Sequence, residues 1–286
     1  MLYLLVINVV WALSFNLIGI FLAGHVDSDF AVLTRVAIAG LVFLPFTAWA
    51  AIPAMRKLGT MAAGALQFGV TYLLLYRSFH FVSVAEVLLF TIFTPIYITL
   101  LDDLYQRRFN RRAFGATLLA VLGSLIIRYD HIDANALTGF LLLQLANLTF
   151  AAGQVGYRQL VRRYPVNLPE YRSFGYFFAG ALIVALPSFL IFGNPARLPT
   201  LPEQFAVLAF LGLASSALGF YWWNKGACMV DAGTLGAMNN MHIPIGLLIN
   251  LVFFNQHADV PRLVAGGVVM LGAVWYSRAG RDRQAR

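Results

Sequence analysis

Amide and aromatic side chains recur inside two long apolar segments of the chain, where they could bind a small molecule. Asn8, Trp11 and Phe15 lie at helical spacing in one segment, and Asn147 and Gln154 lie seven residues apart in another. Residues at such spacings share one face of an α-helix. Polar side chains in mid-membrane usually face the bundle interior rather than lipid. We therefore predict that these five residues line a substrate cavity. Interhelical hydrogen bonds that only hold the bundle together are the structural alternative.

Two prolines lie near the middle of apolar segments and are predicted to break their helices. Pro95 leaves the carbonyl of Thr91 without its helical donor, and Pro244 does the same to Asn240. A freed carbonyl within a membrane must meet a neighbour, water or a substrate. We predict that both prolines act as hinges, and that kinks which only shape packing are the alternative. The polar patch predicted beside them for substrate binding comprises Thr91, Thr94, Asn239, Asn240 and His242.

Tyrosines lie at helical spacing or at matching places in the two halves of the chain. Tyr72 and Tyr76 are four residues apart, and Tyr221 lies 149 residues after Tyr72. We predict that all three form aromatic walls of the cavity. Residues of the interfacial aromatic belt are the alternative, because Trp and Tyr concentrate at both membrane surfaces.

Only three side chains that could hold or exchange a charge are predicted to lie within the bundle. Arg35 and Glu86 lie at similar depths, so we predict an ion pair between them, since a desolvated arginine needs a partner. His242 titrates in the range that suits proton transfer, but a single histidine beside a kink is more often a neutral hydrogen-bonding group. We therefore predict uncoupled movement of substrate down its gradient.

The composition indicates a membrane protein built from helices. The chain of 286 residues is 60% hydrophobic and 11% charged, with a mean hydropathy of +0.76. A soluble domain carries about 25% charged residues, and a helix needs about 20 apolar residues to cross the membrane. The predicted class is therefore all-α, with ten transmembrane helices. They span about 3–22, 30–51, 59–78, 83–101, 113–128, 137–157, 172–192, 203–223, 232–254 and 260–277.

Basic residues are distributed unevenly among the predicted loops. With the N-terminus inside, fifteen of the twenty Lys and Arg lie in inner loops or the C-terminal tail. This bias follows the positive-inside rule and predicts that both termini are cytoplasmic. The net charge of +8 then suits anionic lipid headgroups rather than nucleic acid. We expect membrane lipids and a small-molecule substrate as partners, and a monomer.

Motifs for catalysis or metal binding are absent from the sequence, so no catalytic residue, metal site or cofactor is predicted. Asp102 and Asp103, followed by Arg107 and Arg108, are the nearest approach to a metal–diphosphate site. Such a site needs several carboxylates around Mg²⁺, and a second acidic cluster is missing at the same surface. A solvated charge cluster that ends a helix is the ordinary interpretation.

An internal repeat relates the two halves of the chain. Residues 72–123 are echoed without a gap by residues 221–272, so that Pro95 matches Pro244 and Gly123 matches Gly272. We predict two repeats, 1–132 and 133–286, each with five spans. Because five is odd, the second repeat must cross the membrane in the opposite direction. Inverted repeats are typical of transporters that work by alternating access.

The segments that carry this repeat also resemble a known family. WALSF (11–15), YRSFHFVSVAEVLLFTIFTPIY (76–97), FGATLLAVLGSLII (114–127) and YWWNKGACMVDAGTLGAMNNMHIPIG (221–246) are similar to the EamA pattern of the drug/metabolite transporter superfamily. Among these transporters the chain looks closest to the YddG group. That resemblance implies a bacterial inner-membrane exporter of amino acids, aromatic ones included. Efflux of other small metabolites or drugs, or a lipid-modifying membrane enzyme, are the alternatives.

Overall fold

The computed structural model describes residues 1–82, 84–128, 136–253 and 260–284, and within these residues all regular secondary structure is helical, without strands. This confirms the predicted all-α class. The predicted boundary between residues 132 and 133 lies outside the described residues. The helices are α1 (Leu2–Leu22), α2 (Ser28–Phe46), α3 (Ala54–Ser78), α4 (Glu86–Gln106), α5 (Arg111–Arg128), α6 (Leu137–Arg163), α7 (Tyr171–Phe192), α8 (Pro202–Cys228), α9 (Ala232–Asn239), α10 (His242–Phe253) and α11 (Val260–Gln284).

Seven of the described helices are long and apolar enough to cross a membrane, namely α1 to α4 and α6 to α8. The shorter α9 and α10 have 8 and 12 residues, because the ninth predicted span is divided into two helices. Helix α5 has 18 residues and carries Arg111, Arg112 and Arg128, which offset its apolar content. The count of ten transmembrane helices and their inverted arrangement stay predictions.

Departures from regular α-helix occur at matching positions in the two halves. A π-helical stretch lies within α3 at Ala65–Val70, and another lies within α8 at Leu211–Leu218. A 3₁₀ turn at Thr91–Phe93 interrupts α4, and the break between α9 and α10 falls 149 residues later. Pro95 and Pro244 follow these interruptions, as expected of residues that cannot donate to the preceding turn. The two halves therefore share local distortions as well as residue types.

Close helix packing at glycines holds α3 against α7. A Cβ atom on Gly64 would lie 1.8 Å from the carbonyl oxygen of Phe177, and one on Gly180 would lie 1.8 Å from that of Met61. Small residues at such contacts allow helix backbones to approach closely, which is a main source of stability in membrane bundles. Helix α5 packs along α11 in the same manner, with Gly123 close to the carbonyl of Gly266.

Aromatic rings fill the interior beside this contact, and large apolar side chains also cover the outside. The rings of Phe174 and Phe177 stack at 4.8 Å, and those of Phe68 and Phe220 at 4.6 Å. Large apolar side chains such as Leu190 are exposed on the outer surface. An apolar exterior around a packed interior is the distribution expected of a bundle whose solvent is lipid.

Candidate functional site: a central cavity at the broken helices

A cavity lies between α1, α3, α4, α6 and the break that separates α9 from α10. Pockets for small ligands are mostly apolar, with a few placed polar groups. Among the described residues, α5 and α11 contribute none of the lining. The lining residues are Trp11, Phe15, Thr71, Tyr72, Leu75, Thr91, Thr94, Ala146, Asn147, Phe150, Asn239 and His242.

Aromatic rings form the apolar walls of the cavity and are fixed by their neighbours. Trp11 donates its indole N–H to the carbonyl of Ser215 at 3.1 Å, which ties α1 to α8. The Trp11 and Phe150 rings meet edge to face at 6.0 Å. Because Trp11 and Phe150 come from the two halves of the chain, the wall is shared between them. Such rings give a bound substrate a large apolar contact at defined orientation.

The amide of Asn147 secures the break in α4 beside the cavity. Asn147 Nδ2 donates to the carbonyl of Phe90 at 2.8 Å. Thr94 Oγ1 lies 2.7 Å from the carbonyl oxygen of Thr91 and 3.0 Å from Asn147 Oδ1, so its hydroxyl hydrogen serves one or the other. The carbonyl that Pro95 was predicted to free therefore has the Thr94 hydroxyl within reach.

The break between α9 and α10 is secured in a related way from the other half of the chain. Asn8 Nδ2 donates to the carbonyl of Met238 at 3.0 Å. The carbonyl of Asn240, which lacks the donor that Pro244 removed, accepts from Ile243 N at 3.1 Å in a tight turn. Asn8 and Asn147 occupy matching places at the start of each half, and each clamps the interrupted helix of the opposite half. We call these two contacts the amide clamps.

Asp231 fixes the start of α9 and thereby the position of the break. Its carboxylate accepts from Thr234 N at 2.8 Å, from Thr234 Oγ1 at 2.6 Å and from Ser277 Oγ at 2.7 Å. Burial by itself raises the pKa of Asp231, but these hydrogen bonds outweigh burial and hold the pKa below its usual value. A charged carboxylate at a helix N-terminus also interacts favourably with the helix dipole.

The structure brings most of the predicted binding residues to this cavity, and places five of them elsewhere. Tyr221 packs between Phe43 and Phe174 at ring distances of 5.4 and 5.3 Å, because it faces α2 and α7. The side-chain amide of Asn8 donates to the carbonyl of Met238, and Gln154 is fully buried and does not line the cavity. A direct binding role for these residues, and hinge motion at Pro95 and Pro244, stay predictions. The five residues outside the lining are Asn8, Tyr76, Gln154, Tyr221 and Asn240.

Several lining residues were missed by reasoning from the sequence. Thr71 lies one residue before the predicted Tyr72, and Thr71 Oγ1 lies 2.9 Å from Thr149 Oγ1 across the α3–α6 contact. Phe150 occupies the place in the second half that matches Trp11 in the first, and this correspondence could have identified it. Leu75 and Ala146 are ordinary apolar residues that gave no signal in the sequence.

Arg35 is completely buried behind the aromatic wall. It donates from Nε to Ser216 Oγ, from Nη1 to the Tyr76 hydroxyl and from Nη2 to Ser215 Oγ, each at 3.1 Å. The guanidinium carbon lies 4.4 Å from the ring centroid of Tyr72, which faces the cavity. Hydroxyl groups and an aromatic ring thus supply partners that the sequence analysis did not anticipate. The ion pair between Arg35 and Glu86 stays a prediction.

A buried ion pair joins α4 to α6 at one end of the bundle. Arg158 Nη1 lies 3.3 Å from Asp102 Oδ1, and both side chains are almost fully buried. Gln159 Nε2 donates to the same oxygen at 2.8 Å, and Arg158 Nη2 donates to the carbonyl of Val230 at 2.6 Å. The interpretation of Asp102 as part of a solvated cluster was therefore wrong. The basic residue that balances its charge comes from a distant helix, which the local sequence did not reveal.

Within the described residues, no group of three or more His, Cys, Asp or Glu side chains could hold a metal ion.

The model of the EamA-like transporter family matches residues 1–129 and 137–278. The chain belongs to the EamA-like transporter family. It is accordingly a small-metabolite transporter of the drug/metabolite superfamily, which confirms the superfamily predicted from the sequence.

Relatives of this EamA-like chain carry transporter names. The chain is 60% identical to a protein of Pseudomonas aeruginosa named "Probable biotin transporter", over 98% of both chains. It is 44% identical to the "Biotin transporter" of Escherichia coli strain K12, over 96% of this chain and 92% of that protein. These names agree with the prediction that the chain is not an enzyme. A crystal structure with 18% sequence identity aligns over 96% of both chains with a TM-score of 0.75, which shows a shared fold.

Proposed function

We propose that this protein transports biotin across the bacterial inner membrane, with the central cavity as its binding site. The observation that carries the proposal is the pairing of this cavity with relatives of high identity named biotin transporters. Biotin has a compact apolar ring system, a polar ureido group and a carboxylate tail. The aromatic walls suit the ring system, and the polar groups at the two helix breaks suit the ureido group.

The charge beside the cavity favours a substrate with a carboxylate. Arg35 contacts hydroxyl groups through three of its nitrogen atoms, and its guanidinium lies behind the ring of Tyr72. A buried positive charge attracts an anion more strongly than it would in water, because the surrounding dielectric constant is low. Export of amino acids, which the sequence predicted, also involves a carboxylate and stays a prediction. The names of the relatives favour biotin.

We propose that transport proceeds by alternating access between two inverted five-helix repeats, with ten transmembrane helices and cytoplasmic termini. The matching distortions of α3 with α8, and of α4 with the α9–α10 break, support the repeat. Family matches to two successive stretches of the chain support it as well. Related halves can exchange conformations, which opens a central site to one side and then to the other. We expect movement down the substrate gradient without proton coupling.

Uptake of radiolabelled biotin into liposomes that contain the purified protein tests this proposal. We expect saturable uptake that excess unlabelled biotin blocks, with the same final level whether or not a pH gradient is imposed. Labelled phenylalanine, tested in parallel, addresses amino acid transport. Uptake of phenylalanine without uptake of biotin would overturn the biotin assignment in favour of amino acids. Accumulation of biotin driven by the pH gradient would overturn uncoupled transport.

A further inference from the structure

The break between α9 and α10 presents two polar side chains to the cavity. Asn239 is the last residue of α9 and His242 is the first residue of α10. Both line the cavity and both are largely buried, with 5% and 7% of their surface exposed. The His242 ring lies within hydrogen-bond distance of the Asn239 backbone carbonyl, so the two residues adjoin across the two-residue turn. The break thus concentrates hydrogen-bonding capacity at one point of an otherwise apolar wall.

The hydrogen bond within this pair determines which atoms remain available. His242 Nδ1 lies 2.8 Å from the carbonyl oxygen of Asn239. A carbonyl can only accept, so Nδ1 carries the hydrogen, and in the neutral ring Nε2 is an acceptor. His242 Nε2 and Asn239 Nδ2 are both buried and have no hydrogen-bond partner in the part of the chain that the structure describes. The pair therefore offers one free acceptor and one free donor.

Neighbouring residues hold the pair in place. Asn240 Nδ2 donates to the carbonyl of Ile92 at 2.9 Å and to Ser124 Oγ at 3.1 Å, which ties the turn to α4 and α5. The ring of Phe15 stacks on the ring of His242 at a centroid distance of 5.4 Å and an angle of 22°. A donor and an acceptor that are fixed in advance bind a complementary ligand with less loss of entropy. Left without partners, buried polar groups are costly.

We propose that Asn239 and His242 recognise the ureido group of the substrate. The ureido carbonyl accepts from Asn239 Nδ2, and the adjacent ureido N–H donates to His242 Nε2. A cyclic urea carries a carbonyl and an N–H on adjacent atoms, which suits a donor and an acceptor that line the same cavity. The ammonium and carboxylate groups of an amino acid carry full charges, for which this neutral pair supplies no counter-charge. This inference rests on the proposed transport of biotin.

Competition for binding of labelled biotin to the purified protein tests this assignment with paired changes in ligand and protein. One competitor is biotin methylated at a ureido nitrogen, which loses an N–H. The other carries sulfur in place of the ureido oxygen and is a weaker acceptor. The variants are His242→Phe, which keeps an aromatic ring beside Phe15, and Asn239→Leu. The exposed His25 provides the matched control, His25→Phe.

We expect methylation to weaken binding by about tenfold in the wild type and in His25→Phe, since one hydrogen bond is lost. In His242→Phe, methylation should make less than about a twofold difference, because the acceptor is already absent. Asn239→Leu should likewise abolish the difference between oxygen and sulfur. Because each variant is paired with its own competitor, each residue is tested independently of the other.

The outcomes separate this inference from the proposed function. If the wild type binds biotin but methylation weakens binding equally in the wild type and in His242→Phe, the assignment of His242 is overturned while biotin transport stands. The same holds for Asn239 if sulfur substitution is equally harmful in the wild type and in Asn239→Leu. Failure of the wild type to bind biotin at all would overturn both proposals.

Discussion

Replacement of one partner of the buried ion pair between Arg158 and Asp102 should destabilise the protein strongly. Arg158→Met leaves the Asp102 carboxylate buried without its cation, which costs about 3–5 kcal/mol in comparable sites. Gln159 and Gln106 still donate to that carboxylate. We therefore expect a loss near the lower end of this range, about 3 kcal/mol.

The double variant Asp102→Leu/Arg158→Met should recover most of this loss. A buried ion pair is often no more stabilising than apolar side chains of similar volume, because desolvation offsets the attraction between the charges. The double variant should thus lie within about 2 kcal/mol of the wild type, after loss of the hydrogen bond to Val230. The free energy of unfolding, measured by detergent titration in mixed micelles, gives the coupling energy of the pair.

A second ion pair provides the control. Arg77 Nη2 lies 3.0 Å from Asp29 Oδ1, but the Arg77 side chain is 36% exposed. Arg77→Met should therefore lower the free energy of unfolding by less than Arg158→Met does, because solvent screens a partly exposed charge and Ser188 still donates to the buried Asp29 carboxylate. Our reasoning about the buried pair is refuted if Arg158→Met lowers the free energy of unfolding by no more than Arg77→Met does. It is also refuted if the effect of the double variant equals the sum of the effects of Asp102→Leu and Arg158→Met measured singly.

Three further predictions concern the aromatic wall of the cavity, the Asp231 carboxylate at the start of α9, and the glycine contact between α3 and α7. Trp11→Ala should weaken biotin binding by about 1–3 kcal/mol through lost ring contact, whereas the exposed Trp49→Ala should leave the dissociation constant unchanged. Asp231→Ala should lower stability by about 1 kcal/mol at neutral pH. The difference in stability between this variant and the wild type should vanish as pH falls through the lowered pKa of the Asp231 carboxyl, because protonation removes the charge that the hydrogen bonds stabilise. Thermal unfolding at several pH values measures this. Gly180→Ala should cost about 1–3 kcal/mol of unfolding free energy by forcing α3 and α7 apart; a cost as small as that of Gly156→Ala, which meets no neighbour, would contradict this.

The helical class and the position of the broken helices could be predicted from local sequence. Apolar segments of about 20 residues require backbone hydrogen bonds within the segment, so helices follow. Proline removes a donor at a known place, so interruptions near Thr91 and Asn240 follow as well. Cavity residues such as Trp11 and Asn147 were found because a face of polar and aromatic residues is unusual within a membrane.

Partners that are distant in sequence could not be predicted in the same way. Arg35 donates to Ser215 and Ser216, about 180 residues away, and nothing in the local pattern distinguishes these serines. Arg158 reaches Asp102 only because α4 packs on α6. The neighbours of Tyr221 depend on how α8 is rotated about its own axis relative to α2 and α7. Several such rotations are compatible with the sequence pattern.

The amide clamps make each half of the chain dependent on the other. Asn8 from the first half secures the carbonyl of Met238 in the second, and Asn147 from the second half secures that of Phe90 in the first. In both amide clamps, the side-chain amide that donates comes from the opposite half of the chain. A gene split between the codons for residues 128 and 136 should therefore yield two fragments that are degraded when produced separately, yet assemble into one active transporter when produced in the same cell.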